Sequence, residues 1–169
     1  AGPANKQGRI AADNICGGNS HFHGSQGSSV LKLFGLTAAS TGINEKAAQA
    51  AGIAYDKVVL FPASHAAYYP GAQSMAMKVL YEKESLRLLG AQIVGGDGVD
   101  KRIDVLATAI RAKMTALELT ELDLSYAPPY SSAKDPVNMA GFMIEDLESG
   151  KVQQFHWNEI EDLPCDGSA

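Results

Sequence analysis

Residues 74–110, SMAMKVLYEKESLRLLGAQIVGGDGVDKRIDVLATAI, carry the clearest structural signal because their hydrophobic period changes from two residues to about 3.6. In the first half, apolar side chains alternate at Met75, Met77, Val79 and Tyr81, and the polar segment EKES predicts the turn of a β-hairpin. The second half has the spacing of a helix with one buried stripe, formed by Val99, Ile103, Leu106, Ile110 and the following Met114. A hairpin followed by such a helix predicts a helix packed on an antiparallel sheet.

The flanking segments add further strands and helices. Residues 29–42 are predicted to form one strand-like run, and Asn44 caps a short alanine-rich helix that ends at Gly52. Near the C-terminus, Asp135 caps another helix with Pro136 at its first position. Together these patterns predict an α+β fold, with an antiparallel sheet and helices packed on one side of it.

Composition excludes several classes of protein. The 169 residues suffice for one domain, and a net charge of −5 argues against non-specific nucleic-acid binding, which needs clustered Lys and Arg. We find neither an apolar run long enough for a membrane span nor an export leader. The two cysteines, Cys16 and Cys165, predict a reduced, cytoplasmic protein with inert thiols. A start at Ala1 rather than Met is expected of a piece of a longer chain.

Three motifs suggest chemistry, and each has a simpler interpretation. His21 and His23 alternate in a polar loop, but without further ligands nearby we expect no metal site. Ser64 and His65 suggest a small hydrolase, yet adjacent loop residues rarely form a Ser–His pair and GxSxG is absent. The glycine-rich segment 95–102 lacks both phosphate-binding patterns, and its aspartates repel anions, so it is predicted to be a tight strand-to-helix turn.

The segment SYAPPYSSAKDPVNMAG, residues 125–141, presents tyrosines on a stiff loop. Tyr126 and Tyr130 flank Pro128 and Pro129, and prolines restrict the backbone and remove hydrogen-bond donors. The residues alone offer no self-sufficient catalytic set beside these phenols. Because tyrosine is common at protein interfaces, the pattern by itself favours a contact with a partner.

Five blocks occur in order along the chain: GPANKQGRIAADNI, LTAASTGINE, PASHAAYYPGA, LLGAQIVGGDGVDKRIDVLATAI and YAPPYSSAKDPVNMAGF. Together they resemble the C-terminal part of FAD-dependent pyridine nucleotide-disulfide oxidoreductases, in the coenzyme A disulfide reductase branch with its NADH oxidase and polysulfide reductase relatives. The resemblance covers about residues 1–147. It implies that 1–28 end an FAD-binding region, that 29–148 form a dimerisation domain, and that 149–169 are a linker towards a missing rhodanese-like module.

The resemblance also implies a function for a longer protein. That protein is expected to be a homodimeric disulfide oxidoreductase that uses FAD and NAD(P)H, with coenzyme A disulfide, persulfide or polysulfide as substrate. The FAD-binding fold, the NADH-binding fold and the redox cysteine of such enzymes are not in this sequence. We therefore expect the chain alone to be inactive and to bind no cofactor tightly. The alternative is a free-standing protein-interaction domain without a redox role.

In this family, the C-terminal domain of one subunit covers the active site of the other. The coenzyme A branch presents tyrosines towards the redox cysteine of the partner, and Tyr68 and Tyr126 match them. The resemblance therefore implies that both phenols are catalytic, as donors to a thiolate or mixed disulfide. Tyr69 and Tyr130 are secondary candidates. Glutathione reductase-like relatives place a His-Pro pair in this segment, whereas this chain has Ala-Pro-Pro-Tyr.

The first helix is the candidate cofactor contact. It is predicted to begin at Pro3 and to stop at Gly17 and Gly18. The resemblance implies that Pro3, Ala4 and Asn5 direct backbone amides and the positive helix end at the flavin. An ordinary helix start is the alternative interpretation.

Overall fold

The computed structural model describes residues 1–164, which fold around one five-stranded antiparallel sheet. The strands are β1 (Ser29–Leu33), β2 (Leu36–Gly42), β3 (Tyr55–Leu60), β4 (Met75–Glu82) and β5 (Leu88–Gly95). Their order across the sheet is β1-β2-β5-β4-β3. The hairpin predicted from residues 74–95 therefore forms, and its second strand lies at the centre of the sheet.

Helices lie on both faces of this sheet, and the larger pair lies on one face. The α-helices are α1 (Gly2–Ile15), α2 (Glu45–Ala50), α3 (Val99–Arg111) and α4 (Pro136–Glu148), with short 3₁₀ helices at Leu117–Leu119 and Trp157–Asp162. Helix α3 packs across β2 and β5, and α4 packs against β3 beside it. This arrangement confirms the predicted α+β fold.

The core lies between the sheet and helices α3 and α4. The predicted alternation in β4 is confirmed, because its four inward-facing side chains are all buried: Met75, Met77, Val79 and Tyr81. From the helix side, the buried stripe of α3 consists of Val99, Ile103 and Leu106, and α4 contributes Val137, Ala140 and Ile144. The last two residues of the predicted stripe, Ile110 and Met114, are only partly buried.

The short helix α2 lies on the opposite face. Glu45 at its start forms ion pairs with Lys57 of β3, at 2.5 Å, and with Lys78 of β4, at 2.6 Å. Both lysines alternate with buried core residues along their strands, so they point away from the core. As predicted, the side chain of Asn44 caps this helix by accepting from the Ala47 N–H at 2.9 Å.

Residues 29–42 differ from the prediction of a single strand. They form a hairpin of β1 and β2, with Leu33 paired to Leu36 across a two-residue turn. Phe34 in that turn adopts a left-handed φ of 51°, which non-glycine residues rarely do. The turn was missed because an aromatic residue occupies it and apolar residues continue on both sides, so that Gly35 is its only turn residue.

The first helix forms as predicted, but its apolar side is not buried: none of the residues Gly2–Ile15 is. Within the described residues, no helix is both long and apolar enough to cross a membrane. Cys16, just after α1, is exposed, whereas Cys165 lies outside the described residues. After α4 the chain returns along the edge of the sheet, where the side-chain amide of Gln154 donates to the Lys57 carbonyl at 2.7 Å.

Candidate functional site

Two of the tyrosines meet at the surface of the domain. The hydroxyl oxygens of Tyr68 and Tyr126 lie 3.3 Å apart, although the residues are 58 positions apart in the chain. Tyr68 is 76% exposed and Tyr126 is 48% exposed, so the pair faces outward. The structure thus brings together the two residues to which the family resemblance assigns a catalytic role.

The loop that carries Tyr68 joins β3 to β4. Its base is narrow because the chain continues to pair beyond the strands, with the Ser64 N–H donating to the Gln73 carbonyl at 2.8 Å and the Met75 N–H to Pro62 at 2.9 Å. A turn at the tip follows, in which the Tyr69 N–H donates to the Ala66 carbonyl at 2.9 Å. Tyr68 is therefore held at the tip of a loop whose two sides are hydrogen-bonded to each other.

The loop that carries Tyr126 is bent by its prolines. Pro128 and Pro129 have no N–H to donate, so the carbonyl of Ala127 is left for the residues that follow. It accepts from the N–H groups of Tyr130, at 2.9 Å, and Ser131, at 3.1 Å. The loop then passes directly to the start of α4, which fixes its second end.

The two loops are hydrogen-bonded to each other beneath the tyrosines. The Ala66 N–H of the first loop donates to the Ser131 carbonyl of the second at 2.9 Å. Under this contact lies Arg102 of α3, which is only 1% exposed. Its guanidinium donates to the Asp135 carboxylate, with Nη2 at 3.0 Å and Nε at 3.4 Å.

Sequence reasoning missed Arg102. It occupies a position of the apolar stripe of α3, between Val99 and Leu106, where a charged residue is unusual. That placement was the available signal, and the acidic partner lies 33 residues further along the chain. The preceding turn also contacts this arginine, whose Nη1 donates to the Gly98 carbonyl at 3.1 Å. Gly98 has φ +70°, and a Cβ atom there would lie 2.2 Å from Nη1 of Arg102. The predicted strand-to-helix turn at 95–102 is confirmed.

Two ionisation equilibria are shifted around the site. Burial acts to raise the pKa of Asp135, but hydrogen bonds from Ser131 and the Val137 N–H, together with Arg102, hold this pKa below its ordinary value. At the surface, the hydrogen bond with Tyr126, followed by partial desolvation, raises the pKa of Tyr68. Tyr68 therefore remains a neutral phenol at physiological pH and keeps its proton to donate.

Ser64 and His65, the hydrolase candidates, are buried at the base of the Tyr68 loop. The Ser64 hydroxyl accepts from the Gln73 N–H at 3.1 Å, and Nδ1 of His65 lies 3.1 Å from the Ala66 carbonyl oxygen. The His65 ring meets Tyr69 edge-on, with centroids 5.7 Å apart. These contacts support the loop and present neither side chain to a substrate.

The remaining candidates lie elsewhere on the surface. Tyr130 is exposed, and its carbonyl, rather than its hydroxyl, takes part in the network by accepting from Arg102 at 3.3 Å. His21 and His23 are exposed in the loop after α1. Within the described residues, no group of three or more His, Cys, Asp or Glu side chains is placed to hold a metal ion.

The predicted flavin contact is an exposed helix start. Pro3, Ala4 and Asn5 lie in the first turn of α1, where both the N–H and the side-chain amide of Asn5 donate to the Ala1 carbonyl. This turn has no acidic residue and no side-chain cap. Pro3 has no N–H and the Asn5 N–H is used, so the Ala4 N–H and the positive end of the helix are what these three residues leave open to an electron-rich group.

Comparison with known proteins places these features in one family. The family model for the pyridine nucleotide-disulphide oxidoreductase dimerisation domain matches residues 29–137. Coenzyme A disulfide reductase from Staphylococcus epidermidis is 41% identical over 140 residues, which are 82% of this chain and 32% of that protein.

Solved structures agree. The crystal structure of reduced CoADR-RHD from Bacillus anthracis superposes with a TM-score of 0.90 and 50% identity, over 95% of this chain and 29% of that one. A NAD-dependent persulfide reductase from A. fulgidus gives a TM-score of 0.90 and 44% identity, over 94% of this chain and 29% of that one.

These matches confirm the resemblance drawn from the five sequence blocks, including its coenzyme A disulfide reductase branch. The chain spans 32% of the length of the Staphylococcus epidermidis protein, so the match concerns one part of such an enzyme. Given the family model over 29–137 and 41% identity to a relative over most of the chain, this chain belongs to the pyridine nucleotide-disulphide oxidoreductase family, as its dimerisation domain.

Proposed function

We propose that this domain pairs with a second copy and completes the active site of an FAD- and NAD(P)H-dependent disulfide oxidoreductase. The observation that carries the proposal is the outward-facing pair of Tyr68 and Tyr126, with hydroxyl oxygens 3.3 Å apart on two loops that are hydrogen-bonded to each other. Two phenols held this close are placed to contact one sulfur atom, or two adjacent ones, from the same side. We assign coenzyme A disulfide, persulfide or polysulfide as the substrate class.

The chemistry assigned to the pair is proton donation. When a disulfide or persulfide bond is reduced, one sulfur leaves as a thiolate, and a phenol that donates to it stabilises the developing charge. Tyr68 is available for this role because its phenol keeps its proton at neutral pH, and its outward position beside Tyr126, rather than its raised pKa, suits it to donate. Bound FAD would supply the electrons that NAD(P)H provides. In this proposal Tyr68 and Tyr126 act on the substrate sulfur.

We assign the flavin contact to the start of α1. Of the three residues Pro3, Ala4 and Asn5, Ala4 offers a free backbone N–H, since Pro3 has none and the Asn5 N–H donates to the Ala1 carbonyl, and the positive helix end has no competing acidic side chain. Pro3 also lines a surface cleft whose other residues include Lys6, Arg9 and Arg111, which favour an anionic ligand. We also propose a cytoplasmic location. We further propose that residues 1–28 end the FAD-binding region, that 29–148 form the dimerisation domain, and that 149–169 are a linker.

Pairing with a second copy is supported by apolar surface that this chain covers only in part. A groove between α3 and the segment before the Tyr126 loop is lined mainly by Val105, Ala109, Met114, Leu122 and Leu124. Obligate interfaces bury roughly 2,000 Å² or more and are rich in such side chains. Exposed Phe61, Phe155 and Trp157 at the other edge of the domain instead favour the alternative, a contact with a different protein.

A chimera tests the proposal directly. The equivalent segment of the Staphylococcus epidermidis coenzyme A disulfide reductase is replaced by residues 1–148, and flavin content, oligomeric state and NAD(P)H-dependent reduction of coenzyme A disulfide are measured. We expect a flavin-containing, active dimer whose activity falls when both Tyr68 and Tyr126 are changed to Phe. Tyr55→Phe is the matched control, because its phenol contacts Glu45 and Gln49 on the opposite face of the sheet. An active chimera that is indifferent to the double change refutes the catalytic assignment.

A further inference from the structure

Arg102, Asp135 and Ser131 form a closed network beneath the tyrosine loops. All three are buried, and the Ser131 hydroxyl donates to Asp135 Oδ2 at 2.6 Å while Arg102 Nη2 donates to the same oxygen at 3.0 Å. Arg102 also donates to the carbonyls of Gly98, at 3.1 Å, and Tyr130, at 3.3 Å. A single guanidinium thus joins the strand-to-helix turn, the Tyr126 loop and the start of α4.

Short paths run from this network to both tyrosines, one of them through Lys101, whose Nζ lies 3.7 Å from Asp135 Oδ2. Ser131, whose hydroxyl is in the network, accepts at its carbonyl from the Ala66 N–H, two residues before Tyr68. On the other side, Lys101 Nζ donates to the Ser125 carbonyl, immediately before Tyr126, at 3.2 Å. The Tyr126 loop is therefore held at both ends by neighbouring residues of α3.

Stability alone is a poor explanation for this network. Taking an arginine and an aspartate out of water costs free energy that their attraction only partly returns, and well-packed apolar residues often stabilise a core as much or more. Apolar contacts are non-directional, whereas a guanidinium donates hydrogen bonds in fixed directions to several acceptors at once. Here its acceptors are the backbone and side-chain groups that determine where the two loops lie.

We propose that Arg102, Asp135 and Ser131 are positioning residues that hold the Tyr68 and Tyr126 loops in register, so that the two hydroxyls meet. The purpose of the pair rests on the proposed function, but its geometry can be measured in the 169-residue chain without any reaction. Groups that contact a substrate need this kind of support, because exposed side chains on loops lose their alignment when the residues beneath them are loose.

The test uses the pH titration of tyrosine Cζ signals in ¹³C-labelled chain, with Tyr68 and Tyr126 assigned from their Phe variants. With the network intact, Tyr126→Phe should lower the pKa of Tyr68, because the hydrogen bond between the two hydroxyls is the main cause of the raised Tyr68 pKa. Arg102→Lys and Ser131→Ala should lower the Tyr68 pKa in the same direction but by less, because they loosen the loops while the Tyr126 hydroxyl and the Ser131 backbone carbonyl remain. The smaller Ser131→Ala change decides the question if Arg102→Lys does not fold.

Tyr81→Phe is the matched control. It removes a hydrogen bond of 2.9 Å to Glu148 at the far end of α4, and so destabilises the domain without touching either loop. We expect it to leave the Tyr68 titration unchanged, which separates positioning from general loss of stability. A Tyr81→Phe shift as large as that of Ser131→Ala overturns the proposal.

Failure of this proposal and failure of the proposed function give different results. If Tyr126→Phe leaves the Tyr68 pKa unchanged, the pair does not form in solution and the positioning role is refuted. If the network variants loosen the pair while tyrosine changes leave the chimera fully active, positioning stands and the catalytic assignment falls. If the Arg102→Lys and Ser131→Ala chains fold and their Tyr68 pKa equals that of the wild type, the positioning role is overturned.

Discussion

The hydroxyl of Tyr68 lies within hydrogen-bonding distance of the hydroxyl of Tyr126, 3.3 Å away, where the β3–β4 loop meets the loop that precedes α4. The first loop continues the β3–β4 pairing at its base, and the second leads directly into α4. The backbone beneath the pair is therefore held by hydrogen bonds, and the chemistry of the pair can be tested one phenol at a time.

Tyr126→Phe should slow the reduction of a disulfide substrate in the chimera by roughly tenfold, and Tyr68→Phe should have a similar effect. General acid assistance is typically worth ~10²–10⁴-fold, and each single change leaves one phenol in place. Stopped-flow measurement of the reduction step separates this effect from flavin loading. The double change should cost more than either single one, although the losses need not multiply if both phenols contact one sulfur.

The isolated chain should form a two-fold dimer. The partly covered apolar groove beside α3 supports this expectation, because pairing would remove its remaining apolar surface from water. Sedimentation velocity at tens of micromolar gives the measurement. Leu124→Glu, which places a charge in the groove, should shift the chain to monomer, whereas Glu84→Gln in the exposed β4–β5 turn should not. A wild-type chain that remains monomeric at this concentration contradicts the prediction.

The sequence allowed good prediction of those elements whose signals are local. The β4–β5 hairpin follows from alternation, and the start of α4 from Asp135 and Pro136, because the residues that fix each element lie within it. Arg102 and the β1–β2 turn were missed because their structure depends on partners elsewhere or on an untypical turn residue. The pairing of Tyr68 with Tyr126 came only from the family resemblance, since no local pattern connects residues 58 positions apart.

Stability should depend on the ionisation of Glu45 at acidic pH. Burial acts to raise its pKa, but hydrogen bonds and charge from Lys57 and Lys78 outweigh this and lower the pKa from 4.5 to about 2. A lowered folded-state pKa gives stability that is present above pH 4.5 and is lost as pH falls through that value towards 2.

We therefore expect Glu45→Gln to reduce the free energy of unfolding by about 1–2 kcal/mol at pH 7, and by progressively less between pH 4.5 and 2. This free-energy loss is set below the full value that the pKa shift would give, because 22% of the Glu45 side chain is exposed and solvent screens both ion pairs. Urea unfolding at several pH values provides the measurement, with Glu84→Gln as the control. A loss that is the same at pH 7 and pH 2.5 counts against the ionic explanation.

Removal of metal should leave the chain unchanged. His21 and His23 are exposed in one loop, and two histidines alone make a weak site for zinc or nickel. EDTA treatment of tag-free protein should therefore not alter the melting temperature. Stoichiometric metal in the purified chain, lost together with His21→Ala, would contradict this.

The buried ion pair should show strong coupling between its partners. Arg102→Met leaves the Asp135 carboxylate buried without its guanidinium, and breaking such a pair typically costs about 3–5 kcal/mol. Adding Asp135→Asn removes the stranded charge, while the amide oxygen can still accept from the Val137 N–H at the start of α4. The double variant should therefore be more stable than Arg102→Met alone, with an interaction energy of about 1–3 kcal/mol in a double-mutant cycle. Guanidinium unfolding of the four proteins measures it. If the losses from Arg102→Met and Asp135→Asn simply add, water or Lys101, whose Nζ lies 3.7 Å from Oδ2, stabilises the carboxylate without Arg102, and the network beneath the tyrosines is weaker than its geometry indicates.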